Sequence, residues 1–172
     1  YRLYDRVITI SQGIRAVLLH AGVDATRVVC VPSAVDTQRF QPQADHAWFA
    51  QEFGLTPGQP VVAMIAQLIP RKGHRYLLAA LPQILQAVPQ ARFLIFGQGP
   101  LEDELRHAIA AAGLEEVVHW CGFREDLARI LPCLNLVVHP AEMEGLGVSL
   151  LQAAACGIPI VASAVGGIPE VV

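Results

Sequence analysis

Residues 145–169 contain no charged side chain. A run so long and apolar belongs either in a bilayer or in the core of a sheet covered on both faces. Glycine and proline decide between the two. Gly157 and Pro159 interrupt the run near its middle and Gly166-Gly167 interrupts it again, so a continuous membrane helix of roughly 20 residues does not fit. A buried helix over residues 147–155 and a buried strand over 158–162 do. Glu144 stands just before the run, in a loop that carries Gly145 and Gly147, and the second glycine pair turns the chain toward a further helix. Two helix N-termini then lie at one edge of a sheet. Each offers N–H groups without intrahelical partners and the positive end of a dipole, which suits an anion. Glu144 adds an acceptor for hydroxyl groups beside it. A ligand with both phosphate and sugar hydroxyls matches such a place.

The rest of the chain alternates in the same manner. Val7 to Ile10 predicts a short strand, Ser11 caps a helix to about His20, and Val28 to Val31 predicts a second strand. Residues 32–44, with Pro32 and Pro42, read as a connection. A short helix over 47–53 stops at Gly54. Continuous apolar runs predict buried strands over 61–65, 91–96, 117–121 and 134–139, and helices over 74–88, 101–112 and 125–131 lie between them. The last residues start another helix. Strands alternating with helices predict an α/β fold with a doubly wound parallel sheet, Rossmann-like in kind. Ligands of such sheets bind outside the carboxyl ends of the strands. The loops there are 66–73, 97–100, 121–125, 139–147 and 163–168.

Composition narrows the function classes. Hydrophobic residues make up 53% and charged residues 16% of the chain, which suits a parallel sheet buried on both faces. The net charge is −3 and no basic cluster stands out, so nucleic acid is not an expected partner. Cys30, Cys121, Cys133 and Cys156 show no metal-ligand spacing and read as buried free thiols in a reducing, cytoplasmic setting. The histidines show no zinc pattern, so no metal is expected. Gly97 and Gly99 follow a strand, but Glu102 stands where a dinucleotide fingerprint has its third glycine, so a nicotinamide cofactor is not expected. His139 ends a strand at the ligand edge and reads as structural, and no spacing draws Glu142 into the site.

Several motifs occur in a fixed order: Val31-Pro-Ser-Ala-Val-Asp36, Ile65-Ala-Gln-Leu-Ile-Pro-Arg-Lys72-Gly73, Ile95-Phe-Gly97-Gln-Gly99-Pro, Cys121-Gly-Phe-Arg-Glu-Asp126, and Glu144 followed by Ala-Cys-Gly-Ile-Pro-Ile-Val-Ala-Ser and Gly-Gly-Ile-Pro-Glu170. Together they resemble the carboxyl-terminal half of the retaining, two-Rossmann-domain (GT-B) glycosyltransferases of group 1, also called family 4. The resemblance covers nearly the whole chain. It implies that residues 1–35 are the end of an amino-terminal domain with its linker, and that residues 36–172 are a nucleotide-sugar-binding domain lacking its final part. The implied reaction moves a hexose from a nucleoside diphosphate sugar to a hydroxyl acceptor, with retention and without a metal or other cofactor. The fragment alone is expected to be inactive. The acceptor is a carbohydrate or a lipid-linked glycan, met mainly by the absent amino-terminal domain, through which the enzyme would work in the cytoplasm at the inner membrane surface.

By the same resemblance Glu144 is the catalytic residue, contacting sugar hydroxyls, and the N–H groups of Gly145, Leu146 and Gly147 meet phosphate. Lys72 binds the diphosphate. The family has an arginine where Gln67 stands, and neighbouring Arg71 is a candidate substitute. Gln152 takes the place of a second glutamate, facing ribose hydroxyls with an amide in place of a carboxylate. Gly97 and Gly99 lie near the nucleotide, as does the Phe123-Arg124 loop. Arg124 is a nucleotide contact or a surface arginine paired to Asp126. Two other readings stay open: a nucleotide-binding module without transferase activity, and a sugar-nucleotide epimerase on the same architecture.

Overall fold

The computed structural model describes residues 4–172. Among the described residues seven strands form two parallel sheets, joined by six helices. The smaller pairs β1 (Val7–Thr9) with β2 (Val28–Cys30), joined through α1 (Gln12–His20). After α2 (His46–Phe53), which ends at Gly54 in a left-handed turn, the larger sheet begins. Its strands are β3 (Val61–Ile65), β4 (Arg92–Phe96), β5 (Val118–Gly122), β6 (Leu136–His139) and β7 (Ile160–Ala162). The helices between them are α3 (His74–Ala87), α4 (Glu102–Ala111), α5 (Leu127–Ile130) and α6 (Val148–Ala155). The strand order is β5-β4-β3-β6-β7, and every pair is parallel.

The apolar runs become strands because both faces of the sheet are covered. Along β3, Val61, Ala63 and Ile65 pack with Leu94, Phe96, Ile130, Leu150 and Ala153 on the α5–α6 side. Met64, between them, packs with Phe93, Ile95, Leu77, Leu81, Leu105 and Ile109 on the α3–α4 side. The two-residue period of a strand thus divides one continuous apolar run between two cores. The doubly wound expectation is met in full.

Three details differ from the sequence reading. Leu131–Cys133 forms a 3-10 turn, so β6 begins later than the apolar run that starts at Leu134. The helix expected over 125–131 shortens to α5. The last residues form a single 3-10 turn, Ile168–Glu170, where the start of a further helix was expected. Cys133 and Cys156 are buried, while Cys30 and Cys121 are half-buried, all as free thiols. Burial pushes the Cys121 thiol up to about 12, which keeps it protonated and unreactive. Among the described residues no helix is long and apolar enough to cross a membrane.

The order of the strands positions the site. The chain runs outward from β3 to β4 and β5, then returns to lay β6 on the other side of β3. The connections leaving β3 and β6 therefore diverge. A crevice opens between their carboxyl ends, which is where open α/β sheets bind ligands.

Candidate functional site

Lys72 and Glu144 meet in that crevice. Leaving β3, the chain enters a 3-10 turn, Pro70–Lys72, which Gly73 closes in a left-handed conformation before α3 starts. Leaving β6, it passes Pro140 and reaches Glu144 just before α6. The two loops are joined along their backbones, the Glu142 N–H donating to the Arg71 carbonyl at 2.8 Å. Glu142 also accepts hydrogen bonds from Arg75 and Tyr76 at the exposed end of the same junction. Behind it, the Lys72 ammonium reaches Glu144 Oε2 at 2.5 Å, and both side chains are little more than a tenth exposed.

Glu144 has two further partners. His139 Nε2 lies 2.9 Å from Oε2, and the Gly145 N–H donates to Oε1 at 2.9 Å. The His139 hydrogen bond, the Lys72 hydrogen bond and charge, and the Gly145 N–H together outweigh burial and hold the Glu144 carboxyl down at about 2. It is an anion at neutral pH, so Nε2 of His139 must carry the proton it shares. His139 is 1% exposed. His74, the first residue of α3, is equally buried. Neither its ring nitrogens nor His139 Nδ1 has a partner among the described residues. Burial, then the nearby His139 and Lys72, push the His74 imidazole down to about 4, so it is neutral. Reading His139 as merely structural therefore missed a direct hydrogen bond to Glu144. A lone histidine at the end of an apolar strand carries no sequence signal that would have found it. The signal lies in the fold, which brings the strand end and the Glu144 loop together.

The helices that open on the crevice lack side-chain caps. Both α3 and α6 begin at glycines, Gly73 and Gly147, with no side-chain hydrogen bond to their first turns. By contrast α1 and α2 are capped by Ser11 and Asp45. The start of α6 thus presents backbone N–H groups next to Lys72, a geometry suited to phosphate. Leu146 is buried in the core, so it offers a ligand its backbone alone. Gln152 lies half-buried, a little over one turn into α6.

The remaining expected residues line the neighbouring stretch of the same edge. Gln67, Gly97, Phe123 and Arg124 border a cavity of about 290 Å³ beyond the ends of β3, β4 and β5. Gln67 and Arg71 are exposed, as is Phe123. Gly97 and Gly99 are required first by packing. A Cβ on Gly97 would lie 1.9 Å from the Ala66 carbonyl oxygen, and one on Gly99 2.6 Å from that of Leu68. Arg124 is paired to Asp126 through two bonds of 2.8 and 2.7 Å and to Glu52 at 2.7 Å. The paired alternative is the one observed, although the residue still borders the cavity. Larger hollows of about 450 Å³ and 660 Å³ lie at the amino ends of β3 and β6 and beside edge strand β5. Chemistry, not size, separates the crevice from them: among the described residues it joins a largely buried cation, a largely buried carboxylate and uncapped helix starts. Among the described residues no cluster of three or more His, Cys, Asp or Glu side chains is placed to hold a metal.

A doubly wound sheet with two uncapped helix starts and a largely buried Lys–Glu pair at its switch point is an α/β domain of Rossmann-like kind. Comparison with known proteins makes the assignment narrower. Residues 48–172 match the family model for glycosyl transferases group 1, and the chain belongs to that family. It is 37% identical over 153 residues to a GDP-mannose-dependent monoacylated alpha-(1-6)-phosphatidylinositol monomannoside mannosyltransferase of Corynebacterium glutamicum, covering 83% of this chain and 40% of the relative. It is 34% identical to the GDP-mannose-dependent alpha-(1-6)-phosphatidylinositol monomannoside mannosyltransferase of Mycolicibacterium smegmatis, covering 98% and 46%. The crystal structure of Anabaena HepE in complex with UDP and glucose superposes with a TM-score of 0.89 at 29% identity, covering 99% of this chain and 47% of that one. The chain spans less than half the length of each. The fold is the Rossmann-like half of the GT-B architecture.

Proposed function

We propose that residues 36–172 form the donor-binding domain of a retaining glycosyltransferase. Its full chain would transfer a hexose from a nucleoside diphosphate sugar to a hydroxyl acceptor. The observation that carries the reading is the Lys72–Glu144 pair at the switch point, beside the uncapped start of α6. Breaking the bond between the anomeric carbon and the diphosphate oxygen leaves negative charge on that oxygen. In this reading Lys72 and the N–H groups of Leu146 and Gly147 meet it, with the Gly145 N–H released from Glu144 when donor binds. Glu144, fixed as an anion, accepts hydrogen bonds from sugar hydroxyls and so orients the anomeric carbon. With a cation and a helix start already present, the reaction in this reading needs no metal. The nucleoside end occupies the cavity bordered by Gln67, Gly97 and Phe123, and Gln152 meets the ribose. The donors named for the relatives, GDP-mannose and UDP with glucose, support a nucleoside diphosphate hexose and leave the base and sugar of this protein's donor unassigned.

The acceptor is assigned to a second domain. Residues 1–35 belong to that domain and its linker in this reading. In support, Ile8, Ile10, Val29 and Val31 lie exposed on one face of the β1–β2 pair, while Thr9 and Val28 are buried. Parallel strands occur almost only with both faces covered, and two strands do not stand alone. The relatives named for phosphatidylinositol mannosides favour a lipid-linked acceptor, met at the cytoplasmic face of a membrane.

The test uses full-length protein incubated with GDP-mannose or UDP-glucose and a panel of glycan and lipid-linked acceptors, with proton NMR of the product. The expected product keeps the donor's anomeric configuration and forms equally in excess EDTA. An inverted anomer, or loss of transfer on chelation, contradicts the corresponding part of the proposal. Hydrolysis or epimerisation of the donor without transfer favours the epimerase alternative.

A further inference from the structure

Glu170 closes the last 3-10 turn, well away from the Lys72–Glu144 pair in sequence, and its carboxylate is spent on another sheet's helix. Oε1 accepts the Gly13 N–H at 2.8 Å and Oε2 accepts the Gln12 N–H at 3.0 Å. These are the first two N–H groups of α1, which a helix leaves without intrahelical partners. The next, from Ile14, goes to Ser11 Oγ at 3.1 Å. Glu170 therefore completes the cap of α1 and ties the β1–β2 unit to the larger sheet.

The junction has no slack. A Cβ on Gly13 would lie 2.4 Å from the Gly166 carbonyl oxygen, and one on Gly167 would lie 2.7 Å from Ser11 Cβ. On the far side of the same turn, a Cβ on Gly166 would lie 1.8 Å from the Glu144 carbonyl oxygen. The Gly167 N–H donates to that oxygen at 3.3 Å. The backbone of Glu144 thus rests on the Gly166-Gly167 turn, the turn rests on the start of α1, and Glu170 holds the start of α1 in place. From the opposite direction Lys72 and His139 hold the Glu144 carboxylate.

We propose that Glu170 is a positioning residue for Glu144: by anchoring the first N–H groups of α1 it clamps the glycine turn on which the Glu144 backbone is seated. Its removal displaces the sugar-contacting carboxylate and leaves the diphosphate contacts at Lys72 in place. Read through turnover, the proposal rests on the transferase assignment; read through hydrogen exchange, it does not.

The experiment takes the full-length chain as wild type, Glu170→Ala and Glu170→Gln, the amide retaining one acceptor oxygen. Hydrogen exchange is expected to speed up about tenfold in Glu170→Ala at the Gln12 and Gly13 amides and also at the Gly167 amide. Exchange in β3 and β4 stays unchanged and confirms the fold. Turnover with the active donor is expected to fall about tenfold in Glu170→Ala and less in Glu170→Gln, because small displacements of a catalytic group carry large rate costs. The dissociation constant for UDP or GDP is expected to change less than turnover does, since Lys72 keeps its place while only the N–H groups next to Glu144 move with its backbone. Faster exchange confined to residues 12 and 13, with turnover unchanged, overturns the proposal and leaves Glu170 a helix cap. Loss of β3 and β4 protection in both variants overturns it also, by making Glu170 a determinant of the whole fold. A wild-type chain that transfers no sugar refutes the transferase reading, while the Gly167 amide still decides the positioning claim.

Discussion

Two groups at the crevice, largely buried Glu144 and buried His74, have lowered pKa values, and acid stability reports both. The His74 imidazole is lowered from 6.5 to about 4, chiefly by burial. The unfolded chain therefore takes up that proton first. Its contribution is complete above pH 6.5 and is lost as pH falls toward 4. Glu144 is lowered from 4.5 to about 2, chiefly by His139 and Lys72. Its contribution is complete above pH 4.5 and is lost as pH falls toward 2. Each shift corresponds to roughly 3 kcal/mol, less what solvent screening removes at Glu144. Urea unfolding followed from pH 7.5 to 2.5 is expected to show stability falling across both intervals. His74→Leu should flatten the decline between pH 6.5 and 4, and Glu144→Gln the decline below 4.5, each relative to its own value at pH 7.5. An unaltered pH profile in either variant contradicts the corresponding assignment. Glu144 was legible in the sequence because it sits beside glycine in a loop at the ligand edge, whereas Lys72 was singled out only by the resemblance of its motif. His139 and His74 were not legible, since nothing local tells a histidine in an apolar segment what the fold will bring to its ring.

At the level of elements, strand and helix order followed from apolar periodicity, and the parallel sheet followed from their alternation. The spatial order β5-β4-β3-β6-β7 did not, because a local pattern does not record on which side of β3 the returning strand is laid. Boundaries failed where short turns compete with longer elements. Pro132 favours the 3-10 turn that delays β6, and Pro169 lies inside the turn that replaces a final helix. The glycines after β4 show a different limit. Gly97 was read as a nucleotide-side residue, yet its φ of 136° and its contact with the Ala66 carbonyl make it first a seam between the loops leaving β3 and β4. Gly97→Ala is expected to destabilise the domain by about 3 kcal/mol through backbone strain and overlap, measured as a lower urea midpoint. An unchanged midpoint would mean the two loops separate without cost.

On the scale of the whole molecule, the crevice lies between the carboxyl ends of β3 and β6, and Glu170 holds the β1–β2 unit against the larger sheet. The exposed aliphatic face of that unit, and relatives more than twice as long, support the proposal that acceptor contacts come from outside these residues. In the proposed reading Lys72 and Glu144 divide the donor between them, diphosphate to one and sugar to the other. The most direct measurement is a calorimetric titration of full-length wild type, Lys72→Ala and Glu144→Ala with UDP and GDP, paired with sugar transfer by the same samples. Lys72→Ala should weaken binding of the nucleoside diphosphate by about 1–3 kcal/mol, the value of a charge-assisted contact. Glu144→Ala should retain that binding and lose most of the turnover. If Glu144→Ala transfers sugar at the wild-type rate, the division is wrong and the site is not the one that holds the donor's sugar.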